Sequence, residues 1–176
     1  DFYCSYLYYS GGKPDPQQEV KDLVSDARSN GVPIDPPSIE KLNKSFKIHD
    51  RSVNFGLGDI KYIGNNHVEN LMSSIEDYKS CRPSTIRELN WYNFLVNVSD
   101  KISSKVTESL IMTGALTKLL GKKSTRKKCI DEFETWSGLT KKEKEWVTTN
   151  CPNEEDLLSA LKKLSPTKKY GGGTAN

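Results

Sequence analysis

The side chains able to do chemistry are few, and their spacing does not suit it. The two histidines, His49 and His67, stand 18 residues apart, which matches no metal-site pattern. His49-Asp50 would act as a dyad only beside a nucleophile that the sequence does not point to. Glu69, Glu76 and Asp77 fall on one expected helix. There Glu69 and Glu76 would lie about two turns, roughly 10 Å, apart, while Glu76 and Asp77 are adjacent and diverge, so neither makes an acid–base pair. Asp131, Glu132 and Glu134 read as a solvated face. Gly56-Leu57-Gly58 lacks the third glycine and the strand–loop–helix setting of a nucleotide-binding loop. The expectation is a chain with no catalytic residue, no cofactor and no metal site, and so not an enzyme.

Four cysteines, Cys4, Cys81, Cys129 and Cys151, are spread along the chain without the close spacing of a zinc site or a redox Cys-x-x-Cys. An even, scattered count suits two disulfides, for which three pairings exist. Cys4–Cys81 with Cys129–Cys151 is the preferred one; the second bond would close a loop of about 22 residues and contribute on the order of 3 kcal/mol. Free thiols are the alternative. Asn43-Lys44-Ser45 and Asn97-Val98-Ser99 both fit the N-glycosylation sequon. Together these features favour a secreted or surface-exposed protein. No apolar run approaches the length that crosses a bilayer, and a start at Asp1 suits a processed or excised chain.

Two surfaces offer themselves for binding. Phe2 to Tyr9 is an aromatic run with strong β character, expected as an extended arm, and its Tyr6, Tyr8 and Tyr9 are candidates for protein contact. Lys122, Lys123, Arg126, Lys127 and Lys128 form the densest charge run and could meet heparin-like glycans or other polyanions; a solvated turn after a helix C-terminus is the competing explanation. No zinc finger, RNP motif or aromatic platform accompanies that run, and a formal net charge of +3 does not by itself imply a nucleic-acid partner.

The elements that must position these residues are helical. The chain is organised around Ser84–Gly121, where apolar residues recur at three- and four-residue steps from Ile86 to Leu120. Pro83-Ser84-Thr85 offers a start, Asn97–Asp100 a break and Gly121 a stop. Asp15-Pro16 opens a helix with Val20, Leu23, Val24 and Ala27 on one face. A second helix is expected from Pro37-Ser38, with Ile39, Leu42 and Phe46 inward. His49 to Asn66 reads as a small hairpin or an ordered loop. Asn65-Asn66 caps a helix carrying Val68, Leu71, Met72, Ile75 and Tyr78, with Met72 filling a core gap. Ile130, Phe133 and Trp136 mark a helix stopped by Gly138, and Thr140-x-x-Glu143 is a capping box. A last helix buries Leu157, Leu158, Leu161 and Leu164 and ends at Pro166.

With 35% hydrophobic and 28% charged residues in 176, these readings combine into one all-α, disulfide-stapled domain of about seven helices over residues 1–169. It comprises an extended arm at 1–14, a main core at 15–121 and short C-terminal helices at 122–165, with a disordered tail at 170–176. The expected function is a secreted or surface-exposed binding domain, of the pathogen ectodomain or effector type, acting through protein contacts. The alternatives are an extracellular carrier of a small apolar ligand and a polyanion binder, without specific nucleic-acid recognition.

Overall fold

The structure, a computed structural model, describes residues 2–81, 89–121 and 124–170, with side chains through Leu164. Its described residues form eight helices, α1 (Phe2–Tyr9), α2 (Pro16–Ser29), α3 (Asn65–Ser80), α4 (Trp91–Asn97), α5 (Ser104–Thr113), α6 (Arg126–Ser137), α7 (Lys141–Asn150) and α8 (Leu157–Tyr170). Between α2 and α3 lie three short strands, β1 (Ile34–Asp35), β2 (Lys47–His49) and β3 (Ser52–Asn54). The sheet order is β1-β3-β2, with β1 parallel and β2 antiparallel to β3. The chain is therefore mostly helical, as the periodicity predicts.

Most helices start where a side chain can accept one of the orphan N–H groups. Asp15, Asn90, Ser103, Thr125 and Thr140 each accept the N–H three residues on, opening α2, α4, α5, α6 and α7. The expected break is present: α4 ends at Asn97, a 3-10 turn spans Ser99–Lys101, and Ser103 caps α5. The expected stop is not. Gly114, at φ +79°, ends α5, seven residues before Gly121. The start predicted at Pro83-Ser84-Thr85 and the tail from 171 lie outside the described residues.

Four further expectations are corrected. The aromatic arm is a helix: Tyr3, Cys4 and Leu7 share one side of α1, Leu7 is buried, and the Tyr3 hydroxyl donates to Asp26 Oδ2 at 2.6 Å. Packing against α2 overrides the β preference of aromatic residues. Residues 37–46 do not form a helix, because Pro36-Pro37 and Leu42, at φ +44°, allow only one turn. Ile39 and Phe46 are buried, but in different apolar clusters. The last helix continues through Pro166 to Tyr170; a proline removes one helix bond without forcing an end at that position. Met72 and Leu158 are exposed, not in the core.

No disulfide forms; all four cysteines are free. The Cys4 thiol donates to the Phe46 carbonyl, and Cys81 lies exposed at the end of α3. Cys129 and Cys151 are buried in the main core, where desolvation pushes the Cys129 thiol up to about 11 and raises that of Cys151. They behave as small apolar groups. Side-chain bonds take over the clamping role expected of them. Trp91 Nε1 donates to Glu132 at 2.6 Å, the Tyr92 hydroxyl to the Cys151 carbonyl at 2.7 Å, and Trp136 Nε1 to Asp100 at 3.1 Å.

Candidate functional site

A tight turn joins a short 3-10 helix, Leu57–Asp59, to α3. Ile60 and Ile63 point into the core, and the Ile63 N–H bonds back to the Ile60 carbonyl at 2.9 Å. Between them Lys61 and Tyr62 face solvent. Tyr62 sits at φ +72°, in the left-handed region that side chains rarely adopt. Gly64 follows in extended conformation and caps α3 with no side-chain acceptor, unlike the five capped helices above. By helix geometry the N–H groups of Asn65 and Asn66 have no intrahelical acceptor. His67 Nδ1 turns back to accept the Gly64 N–H at 3.1 Å.

The turn is held from below. The Leu57 and Gly58 N–H groups donate to the Asn43 and Lys44 carbonyls at 2.7 and 2.9 Å. A Cβ on Gly56 would come within 2.3 Å of the Ser45 backbone, and one on Gly58 within 2.3 Å of the Lys44 carbonyl oxygen. Both positions need glycine because two backbones cross there. Asp59 caps the 3-10 helix by accepting the Gly56 N–H at 3.2 Å. It keeps exposed surface yet lines two apolar grooves against α2, and desolvation pushes its carboxyl up to about 6 despite the lowering effect of the Gly56 and Phe46 backbone bonds.

A second helix–turn–helix lies alongside. Gly114 turns the chain out of α5, and the Ala115 carbonyl accepts the Ile39 N–H at 3.0 Å. The Arg126 guanidinium lies where a Gly114 side chain would be and donates to the Met112 carbonyl at 3.3 Å. At its other end α5 approaches the first turn: the Lys105 ammonium rests 5.1 Å from the Tyr62 ring centroid and that of Lys61 5.2 Å. The site thus gathers two ammonium groups, that of Lys105 also paired with Glu108 at 3.2 Å, one exposed aromatic ring and a helix N-terminus without a side-chain cap, a combination suited to an anionic polymer carrying flat rings.

Little of this coincides with the residues singled out from sequence. In the basic run, Arg126 caps α5 and Lys128 pairs with Asp156 at 3.3 Å and Glu132 at 3.8 Å, Lys127 is exposed, and Lys122 and Lys123 lie outside the described residues. Tyr6, Tyr8 and Tyr9 are exposed on α1. His49 pairs with Asp50 on the surface, and among the described residues no group of three His, Cys, Asp or Glu side chains is placed to hold a metal. Asn43 gives its carbonyl to the chain crossing, and the Asn97 amide donates to the Asn93 carbonyl at 3.0 Å. Sequence reasoning missed Lys61, Tyr62, Gly64 and Lys105. The available signal was Gly64 directly before a helix that opens on two asparagines.

Residues 31–128, more than half of the chain, match the helix-hairpin-helix motif family, and the chain belongs to it. Its relatives include the DNA polymerase III subunit alpha of Bacillus subtilis, 27% identical over 74% of this chain and 11% of that protein. The same subunit from Campylobacter jejuni is 28% identical over 81% of this chain and 12% of the relative, and that of Buchnera aphidicola 30% identical over 57% and 8%. The chain spans about a tenth of the length of these curated relatives. These findings overturn the secreted or extracellular-surface expectation and, with it, the glycoprotein, the glycan partner, the apolar-ligand carrier and the expected lack of specific nucleic-acid recognition. Scattered cysteines and two short tripeptides misled because buried thiols and a structural asparagine produce the same pattern.

Proposed function

We propose that this segment binds DNA, through the Ile60–Gly64 turn and the start of α3, as the DNA-holding part of a replicative polymerase subunit. On this reading it works inside the cell and grips rather than catalyses. The observation that carries the proposal is the Gly64-capped N-terminus of α3, without a side-chain acceptor and two residues after Tyr62, whose ring Lys61 and Lys105 overlie, within the family-matching region. A phosphate fits there, because the helix dipole and the N–H groups favour an anion and the glycine leaves the approach open. Contacts of this kind read the backbone and not the base sequence.

The test is fluorescence anisotropy with labelled DNA across a salt series. Binding should weaken steeply between about 50 and 200 mM salt. Gly64→Asp gives the sharper result. A Cβ at Gly64 meets nothing nearer than His67 Nδ1 at 4.0 Å, so aspartate fits. Its carboxylate would cap α3 from within the chain and take the phosphate's place. The expected outcome is unchanged or higher thermal stability with affinity reduced at least tenfold. Undiminished binding by the variant, or no binding by the native chain at low salt, would overturn the proposal.

A further inference from the structure

Four non-glycine residues among those described have positive φ. Three have a local reason. Leu42 packs on the main core, and Asp50 and Arg51 form the two-residue turn of the β2–β3 hairpin. Tyr62 is the third residue of the Ile60–Ile63 turn, where a positive φ makes glycine the usual occupant. Its ring is not in the core and retains 56% exposure. A tyrosine holds this backbone conformation at a cost that a glycine would not incur. The Lys61 and Lys105 ammonium groups lie over the ring, 5.2 and 5.1 Å from its centroid, so the ring already holds two cations that a phosphate can draw away.

Resting on the DNA-binding reading, we propose that Tyr62 stacks on an unpaired base, so that the segment prefers DNA carrying a single-stranded extension to blunt duplex. Lys61 and Lys105 leave the ring to pair with the phosphodiester backbone, and the adjoining base takes the face they vacate. In duplex DNA the flat face of each base is covered by its neighbours; only an unpaired nucleotide can offer that face to an aromatic side chain. Stacking is indifferent to base identity, which suits a site whose remaining contacts go to phosphate.

The experiment compares a blunt duplex, the same duplex with a single-stranded tail, and the single strand alone, using the native chain, Tyr62→Gly and Tyr62→Phe, with melting temperatures recorded alongside. The native chain should bind the tailed duplex roughly tenfold more tightly than the blunt one. Tyr62→Phe should keep that preference. Tyr62→Gly should lose it while retaining the blunt-duplex affinity, since both lysines remain, and should melt at the same or a higher temperature. Equal binding of tailed and blunt duplex by the native chain, or a preference that survives in Tyr62→Gly, overturns this inference and leaves the DNA-binding reading standing. A lower melting temperature in Tyr62→Gly would make the ring a structural brace and overturn it too. No binding to any of the three probes overturns both.

Discussion

The cluster that α1, α2 and the sheet share has only Leu7, Phe46 and Val53 fully buried among the described residues, rimmed by half-buried Tyr3, Val20, Leu23, Val24 and Phe55. The cluster beneath the Ile60–Gly64 turn runs from Ile39 through α3–α8 to Leu164 and includes Trp91, Tyr92, Phe94, Leu110 and Trp136. Between the two lies a groove of about 480 Å³, walled by Val20, Val24, Ile34, Phe55 and Ile60. The first region closes on few contacts and the second on many. Opening free energy follows buried apolar contact. The turn is therefore seated on the harder-to-open part of the molecule, although chain crossings connect it to the softer part.

The largest test of this contrast is Trp136→Ala. Trp136 is fully buried, its indole N–H is bonded to Asp100, and Lys144 lies 5.3 Å above its ring. The expected loss is about 3–5 kcal/mol of global stability in denaturant unfolding. A loss confined to α6 and α7 would dissolve the picture of one continuous core. Phe46→Ala comes next. Phe46 packs on Phe55 at 4.5 Å between ring centroids, and its removal should cost roughly 3 kcal/mol within its own region. Hydrogen exchange should then speed up in α1, α2 and the strands while α4–α7 keep their protection. Equal acceleration everywhere would make the two regions one cooperative unit.

The smallest effect belongs to Asp59, at the seam. Its folded carboxyl titrates near 6, above the ordinary range, because burial disfavours the charge. The folded state therefore holds this proton more tightly than the unfolded one, and ionisation weakens folding, a penalty fully present above about pH 6 that fades as pH falls from about 6 to about 4. Asp59→Asn should melt higher than the native chain near neutral pH and equally at about pH 4. A constant gap across that range would assign the effect to lost hydrogen bonding instead.

How far the sequence foretold this molecule depends on where each element's stability originates. Helices begun by a side-chain acceptor, such as those at Asp15 and Thr140, were legible because their cause is local. So was the interruption at Asn97–Asp100. The α1 helix was not, because Leu7 packs in a cluster with α2 and the strands and Tyr3 is held by Asp26, 23 positions away. The strands are two or three residues long, too short for alternation to register. The turn escaped notice because what distinguishes it is a backbone angle at Tyr62 and the absence of a cap at Gly64. Neither leaves a mark in composition, and Lys105 reaches it from 43 residues along the chain.

The crossing at Gly56 and Gly58 has a mechanical consequence. Residues 43–45 lead into β2, and residues 56–58 leave β3 for the turn, so the open end of the β2–β3 hairpin is pinned to the base of the Ile60–Gly64 turn. With no side chain between the two strands of the crossing, there is no compliant layer to absorb displacement. A tilt of the sheet would be passed on to Lys61 and Tyr62 as a tilt of the turn itself. The joint works as a rivet, turning a loosely packed flank into a lever on that turn.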